Sequence, residues 1–343
     1  MSAPKEPLLL TIILNYKTAP MTLISAEAAI TAMAGIAGEI LIVDNDSQDC
    51  SFETIAAHIA AQGWDKSIPK VRVIQSSHNG GFGAGNNFGI RTGLSDGALP
   101  DFIYVLNPDA FPEKSAIKAL LEYMKTHPRT GLAGSYIHGE NRDTHLTTFR
   151  FPSIMSEFEG AAHLGLVSRL LNSRKLCIET PKQAQQVDWL AGASLMIRKS
   201  ALDEIGLFDE TFFLYFEETD LSRRAAQAGW YTCFVPDSKV VHIGSVSTGM
   251  KTWNRVPEYW FDSRLHYLVK THGVLYTVFA TLAHLTGGFM HWLRCLITGK
   301  ERHVAHHFLI TLATHDGKAL IRAIFRRSLG APKITPPQPE CKT

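Results

Sequence analysis

The chain has 343 residues, 45% of them apolar, enough to bury a sizeable core in one large domain plus an appendage or in two domains. Its five cysteines, at positions 50, 177, 233, 295 and 341, have no metal-ligand or redox spacing, so free thiols in a reducing compartment are expected. The net charge of +2 is unevenly spread: residues 1–250 hold 21 Lys and Arg against 27 Asp and Glu, and residues 251–330 hold 11 against 4. An acidic body joined to a basic C-terminal region implies that the two face different partners.

The N-terminus, MSAPKEPLLLTIIL, lacks a basic region followed by an apolar run and a cleavage site. It is expected to be a short tail entering a strand, not a signal peptide. Four nearly continuous apolar runs follow as predicted strands buried on both faces: Leu8–Leu14, Glu39–Val43, Val71–Gln75 and Phe102–Leu106. Helical patterns separate or follow them at about Thr22–Met33, Phe52–Ala61, Asn86–Thr92 and Lys114–Lys125. This alternation predicts an α/β fold with a mainly parallel sheet. The middle, about 130–250, mixes loops and short strands with one clear helix near Asp220–Ala228, stopped by Gly229. Beyond about 255 the pattern turns helical and rich in aromatics, Arg and His, and the Pro-rich end at 331–343 is predicted to be disordered.

In parallel sheets ligands bind beyond the carboxyl ends of the strands, which selects Asn15-Tyr16, Asp44-Asn45-Asp46-Ser47, the loop from His78, and Asn107-Pro108-Asp109. A carboxylate at Asp44, in ILIVDNDS, suits a ribose or base across the sheet edge; the plain alternative is a turn and helix cap. The glycine cluster Asn79–Gly89 lets the backbone approach a ligand, or serves as a flexible connection. It is no dinucleotide fingerprint, because it lacks the GxGxxG spacing and does not follow the first strand. Asp109 suits a divalent-ion ligand beside a leaving diphosphate, or a simple Asn-Pro-Asp turn. Glu217-Glu218-Thr219-Asp220 suits a general base near an acceptor, or an acidic first helical turn with an Asp220–Arg224 pair. His242, in VVHIGSVS, suits a metal ligand or a structural imidazole.

The order of these features resembles the family-2 inverting glycosyltransferases of the GT-A fold, in the rhamnosyltransferase-like branch. The resemblance is carried by VDNDS, NGGFGAGNNFG, LNPD, the long block DWLAGASLMIRKSALDEIGLFDETFFLYFEETDLSRRAAQAGW, and VVHIGSVS. It covers about residues 8–250, with weaker likeness to about 273 through Arg264, Tyr267 and Lys270. It implies a GT-A catalytic domain over 1–250, with a nucleotide-sugar half at about 8–130 and an acceptor half at about 131–250, and a basic helical region over 251–330.

The resemblance also implies roles. Asp44 matches the carboxylate contacting the nucleoside, with Asn15 beside it; Asn79, Gly81 and Asn86 match the loop closing over the nucleotide. Asp109 matches the last acid of the DXD-type motif and Asn107 stands in place of its first acid. His242 matches a histidine holding the metal or diphosphate, and Trp189 and Gly192 lie in the loop shaping the acceptor side. Glu218 stands where the family usually carries Asp in a Glu-Asp pair, so the base is Glu218 or its neighbour Glu217. The implied cofactor is Mg²⁺ or Mn²⁺. The implied donor is dTDP-L-rhamnose or another UDP- or dTDP-sugar, and the acceptor a glycan or lipid-linked glycan of the cell surface; no nucleic-acid partner is expected.

Two rivals stand beside this reading. A nucleotidyltransferase usually carries a basic Gly-rich loop after its first strand, where this chain has Asn15-Tyr16-Lys17-Thr18. An inactive scaffold would not need Asp109, Glu218 and His242. For 251–330 the expectation is peripheral docking on the inner face of the bacterial cytoplasmic membrane, through an apolar stripe of Val304, Phe308, Leu312, Leu320 and Ile324 edged by Arg322, Arg326 and Arg327. Packing on the catalytic domain or in a homodimer interface is the alternative. Gly273–Leu293 has no Asp, Glu, Lys or Arg, but His284, His291 and two adjacent glycines make it a poor span.

Overall fold

The structure, a computed structural model, describes residues 6–165, 169, 171–244, 254–299, 305 and 307–328. The expected tail at 331–343, Val304, and the end of VVHIGSVS lie outside the described residues.

The four apolar runs form β1 (Leu9–Asn15), β2 (Gly38–Asp44), β3 (Lys70–Gln75) and β4 (Phe102–Leu106). Helices α1 (Ala19–Ala32), α2 (Ser51–Gln62) and α3 (Gly81–Thr92) connect them. Each strand returns through a helix, so all four pair in parallel, in the order β3-β2-β1-β4. The chain reverses direction of growth between β1 and β4, which opens a crevice at their carboxyl ends. Register places Asn15 opposite Asp44 and Asp44 opposite Gln75 at that edge.

The chain continues through β5 (Ala110–Pro112), α4 (Ala116–Thr126), β6 (Thr130–His138), β7 (Thr148–Phe149) and α5 (Ile154–Ala162). Then come β8 (Gln185–Val187), β9 (Trp189–Leu190), β10 (Ser194–Arg198), α6 (Lys199–Ile205), α7 (Glu217–Gln227) and β11 (Tyr231–His242). The full sheet runs β3-β2-β1-β4-β10-β6-β11-β5, with β8 on β11. The parallel character of the first half gives way here, because β10 runs antiparallel to both β4 and β6 while β6 and β11 are parallel.

Alternate residues of the strands feed two apolar layers. Leu9, Ile13, Ile40, Ile42 and Tyr104 face α1, α2 and α4, where Met33, Ile55, Ile59 and Leu120 meet them. Leu10, Ile12, Leu14, Val43 and Ile103 face the opposite layer, with Ile90 of α3, Leu202 of α6 and Leu221 of α7. Helix α3 starts at Gly81, five residues earlier than its pattern suggested, and its glycines pack rather than flex. A Cβ on Gly85 would lie 2.4 Å from Leu14 Cδ1, so glycine there lets the helix lie close on β1.

Three helices follow: α8 (Glu258–His272), α9 (Val274–Thr298) and α10 (Phe308–Ser328). Helix α9 packs along α5, closely enough that a Cβ on Gly287 would stand 2.5 Å from the Phe158 carbonyl oxygen. A buried charge network joins the helices. The Arg264 guanidinium of α8 donates to Glu157 Oε2 through Nε at 3.1 Å and Nη2 at 2.7 Å, and to Asp316 of α10 through Nη1 at 2.9 Å. His284 and Thr281 of α9 bond Glu157 and Asp316 at 2.8 and 2.6 Å. Burial alone would raise the Glu157 carboxyl, but Arg264 and His284 outweigh it and hold the group at about 2.

The predicted apolar stripe is corrected by this packing. Leu312 and Leu320 face inward and are buried, and the outward apolar surface lies mainly on α9, with Ile310 and Ile321 of α10 exposed beside it in sequence. Among the described residues no helix is long and apolar enough to cross a membrane.

Candidate active site

The strand ends of the parallel half carry the first group of polar residues. Asp44 is wholly buried: Oδ1 accepts from Asn15 Nδ2 at 2.7 Å and Ser47 Oγ at 2.5 Å, and Oδ2 accepts from Gln75 Nε2 at 3.1 Å. Asn15 Oδ1 in turn accepts from Thr22 Oγ1 at 2.7 Å. Asp44 therefore organises the turn after β2, and Ser47 Oγ receives the Lys17 amide at 2.9 Å. Asn45, selected at the strand end but given no role of its own, donates from Nδ2 to Asn79 Oδ1 at 2.8 Å and to the Gly81 carbonyl at 3.2 Å. The signal for it was present, since Asn45 lies inside VDNDS.

Asn79 Oδ1 also accepts the Gly81 amide at 3.0 Å, at the start of α3. Gly81 has φ +86°, and a Cβ there would fall 1.8 Å from the Phe213 carbonyl oxygen. That carbonyl accepts the Phe82 amide at 3.0 Å. Asn86 is fully buried, donates to the Phe82 carbonyl at 2.9 Å, and has an Oδ1 without a partner. Asn87, inside the glycine cluster but given no role there, reaches Glu210 Oε1 at 2.9 Å and exchanges bonds with the Phe208 backbone at 2.8 and 3.1 Å. The first turns of α3 are thus tied to the loop that precedes α7.

Asp109 and His242 come together through strand pairing. The residue after Asp109, Ala110, opens β5 and stands opposite His242 on antiparallel β11. His242 Nε2 consequently lies 3.1 Å from Asp109 Oδ1, and Asn107 Nδ2 lies 3.4 Å from the same ring nitrogen. The carboxylate oxygen suits Mg²⁺ or Mn²⁺, and the imidazole nitrogen is a softer donor that Mn²⁺ accepts more readily than Mg²⁺. Among the described residues no third His, Cys, Asp or Glu joins them into a metal cluster, so an ion held there would draw its other donors from phosphate oxygen and water.

Glu217 and Glu218 open α7, which starts three residues ahead of the predicted start near Asp220. Tyr215 and Phe216 reach that turn with φ +71° and +70°, a backbone region that bulky side chains seldom occupy. The helix N-terminus favours the acids, yet one oxygen of each, Glu217 Oε2 and Glu218 Oε2, is buried without a hydrogen-bond partner. Burial, then the neighbouring Glu218 charge, pushes Glu217 well above the usual carboxylate range. Burial also raises Glu218, against hydrogen bonds from its own amide and that of Gly192. The two differ in access. Glu217 is buried beside Gly83 of α3, whereas Glu218 is half-buried and its carboxylate lies against Gly192, where a Cβ would be 3.7 Å from Oε1.

The acceptor-side candidates separate. Gly192 meets Glu218 and the Phe82 ring. Trp189 instead stacks on Phe149 at 4.1 Å and donates from Nε1 to the Arg150 carbonyl at 2.9 Å, bonding the short β7–β9 sheet. A further set was not foreseen. Lys270 of α8 bridges Asp209 at 2.8 Å and Asp220 at 2.7 Å, His266 adds a contact to Asp209 at 2.9 Å, and Ser263 Oγ donates to the Leu214 carbonyl at 3.0 Å. Helix α8 thereby braces the loop and helix that carry the glutamates.

The chain is 29% identical over 225 residues to the N-acetylglucosaminyl-diphospho-decaprenol L-rhamnosyltransferase of Mycobacterium tuberculosis, covering 61% of this chain and 68% of that protein. It is 26% identical over 165 residues to rhamnosyltransferase WbbL of Escherichia coli, covering 47% and 60%. Its fold matches the mannosyltransferase of Pyrobaculum calidifontis solved with GDP-mannose and Mn²⁺, with a TM-score of 0.53 at 13% identity over 94% of this chain and 88% of that one. Residues 11–264 match the family profile described as glycosyltransferase-like family 2. With a GT-A fold and three quarters of its length inside that profile, the chain is a glycosyltransferase that belongs to family 2.

Proposed function

We propose that this enzyme transfers L-rhamnose from dTDP-L-rhamnose, with inversion, to a lipid-linked glycan during assembly of a cell-surface polysaccharide. The rhamnosyl group is taken from the names of both relatives and the diphospho-lipid acceptor from that of the mycobacterial one. The observation that carries the chemistry is the half-buried, raised carboxylate of Glu218 against Gly192, on a helix N-terminus reached through two strained residues. A base with a raised pKa takes a proton more effectively near neutral pH than an ordinary carboxylate does.

In this reading Glu218 accepts the proton of the acceptor hydroxyl as its oxygen attacks the anomeric carbon. The carbon–oxygen bond to the diphosphate breaks in the same step, so one displacement inverts the centre. Asn79, Gly81 and Asn86 shape the nucleotide side, Asn15 and Asp44 order the strand ends beneath the nucleoside, and Asn107 orients His242. Asp109 and His242 would hold Mg²⁺ or Mn²⁺, which supplies positive charge for the leaving diphosphate. Trp189 and Gly192 border the acceptor. Such an acceptor sets the enzyme to work at the inner face of a bacterial cytoplasmic membrane.

The test is release of nucleoside diphosphate from a panel of nucleotide-sugars, with a synthetic polyprenyl-diphosphate acceptor and Mn²⁺. Turnover of dTDP-L-rhamnose well above the other donors is expected. Turnover of a different UDP- or dTDP-sugar with dTDP-L-rhamnose inert would replace the donor, and a product with retained configuration would remove the single-displacement mechanism.

A further inference from the structure

The exposed face of α9 has no partner among the described residues. It carries Leu275, Phe279, Leu282, Phe289, Leu293 and Leu296, spaced to lie on one side of the helix, with Leu275 and Leu296 71% and 67% exposed. The only other exposed polar residues of α9 besides its C-terminal Thr298 is Thr286, and no charged residue is exposed on it. At 25 residues the helix is about 37 Å long, so the apolar surface is extended. Its opposite face is closed: Thr277, Ala280, Thr281, Gly287, Gly288 and Cys295 are buried against the rest of the molecule.

Two facts decide what covers such a surface. First, α9 is fixed in place by the Arg264–Glu157–Asp316 network and by its packing on α5, so it lies on the protein and presents only one side. Second, the exposed charge on α9 and on the described part of α10 has one sign. On α9 and the part of α10 whose side chains are described, the acid is Asp316, buried and paired, while Lys318 and Arg322 are exposed. The sequence adds Lys300, Arg302, Arg326 and Arg327 against Glu301. A second copy placed face to face on this surface would bring Lys318 and Arg322 against their own kind, with no acid exposed on α9 or on the described part of α10 to meet them. An anionic bilayer offers hydrocarbon to the stripe and phosphate to the cations.

We infer that the outward face of α9, with Lys318 and Arg322 of α10, lies in the interfacial layer of an anionic membrane without crossing it. This deepens the reading that the acceptor is lipid-linked by naming the surface that docks. The segment is parallel to the membrane plane, and its apolar side chains replace water with acyl chain while its cations stay at headgroup level.

The test uses the full chain and sedimentation with vesicles of phosphatidylglycerol and phosphatidylcholine in equal parts, or of phosphatidylcholine alone. Binding to the anionic vesicles is expected, weaker at high salt, and removed by alkaline carbonate. Phe289→Glu with Leu293→Glu should cut it by about tenfold or more, and Lys318→Glu with Arg322→Glu by about fivefold per cation removed. Circular dichroism checks that the variants fold, and nucleoside diphosphate release with a water-soluble acceptor should be unchanged in both. If wild type and the apolar variant bind vesicles equally, the surface is wrong. If the wild type ignores vesicles but forms a dimer that Phe289→Glu dissociates, a second copy covers the face and the proposal falls. A monomer indifferent to vesicles also overturns it. Loss of donor turnover in the wild type would strike the functional reading and leave vesicle binding standing on its own result.

Discussion

Replacing Arg264 with Met tests whether the C-terminal helices are held by their buried charges. The magnitude follows from two routes. The Glu157 carboxyl sits at about 2 in the fold instead of 4.5, and a displacement of that size corresponds to about 3 kcal/mol of stabilisation at neutral pH. Removing one member of a buried pair costs about 3–5 kcal/mol in general, because the partner is left without compensation. Here two partners are left, Glu157 and Asp316, both at least mostly buried. We expect a loss of about 3 kcal/mol in guanidinium denaturation at pH 7, and a fall in Tm of about 5 °C. Arg264→Lys should lie between, since one ammonium cannot reproduce the fork that engages Glu157 twice and Asp316 once. The sign of the pH dependence is fixed as well. A depressed folded pKa stabilises above the unfolded value, so wild type should lose this contribution as pH falls from 4.5 toward 2, and Arg264→Met should lack that acid-linked loss. A penalty below about 1 kcal/mol, or parallel acid stability curves for the two proteins, would refute the reasoning.

Glu218→Gln should lower kcat by roughly a hundredfold or more with nucleotide affinity near normal, and the acid limb of wild-type kcat/KM should lie above the ordinary carboxylate range. A larger loss in Glu217→Gln would exchange the two roles. Glu217→Gln should also raise Tm at pH 7 by about 2 °C, because a carboxyl with a raised folded pKa loses stability as pH climbs from its ordinary value toward the folded one; an unchanged or lower Tm would count against a carboxyl held out of water without compensation. Asp109→Ala and EDTA treatment should each abolish turnover, and full activity in EDTA would mean that the diphosphate is neutralised by other means. Gly81→Ala should cost about 2 kcal/mol or more and at least tenfold in turnover, since its Cβ would displace the Phe213 carbonyl; wild-type activity would show that the α3–loop bond is dispensable.

The parallel half was legible because its signals are local. Each of the four strands is a short apolar run, and each is followed by the polar residues that the topology places at the crevice. The second half was less so. Strand β11 is interrupted by a register shift between Val235 and Lys239, around Pro236, which breaks the alternation a reader follows. Helix α3 hides its first turn in four glycines whose propensity argues against helix, and packing on Leu14 and Ile12 overrides that preference. The glutamates stood out in sequence, but the strained Tyr215-Phe216 turn that starts their helix carries no glycine to announce it. Arg264 finds Glu157 and Asp316 across 107 and 52 positions, a distance no local pattern spans.

Helix α8 is gripped at two places six residues apart: Arg264 holds the C-terminal helices and Lys270 holds Asp209 and Asp220 beside the glutamates. One stiff segment of about 9 Å therefore belongs to both ends of the molecule. Any ligand on one end that prefers one setting of α8 over another changes the affinity at the other end, and the return effect has the same size. With the lipid-linked acceptor proposed above, that reciprocity would let arrival at the lipid sheet and loading with donor report to each other through a single lever.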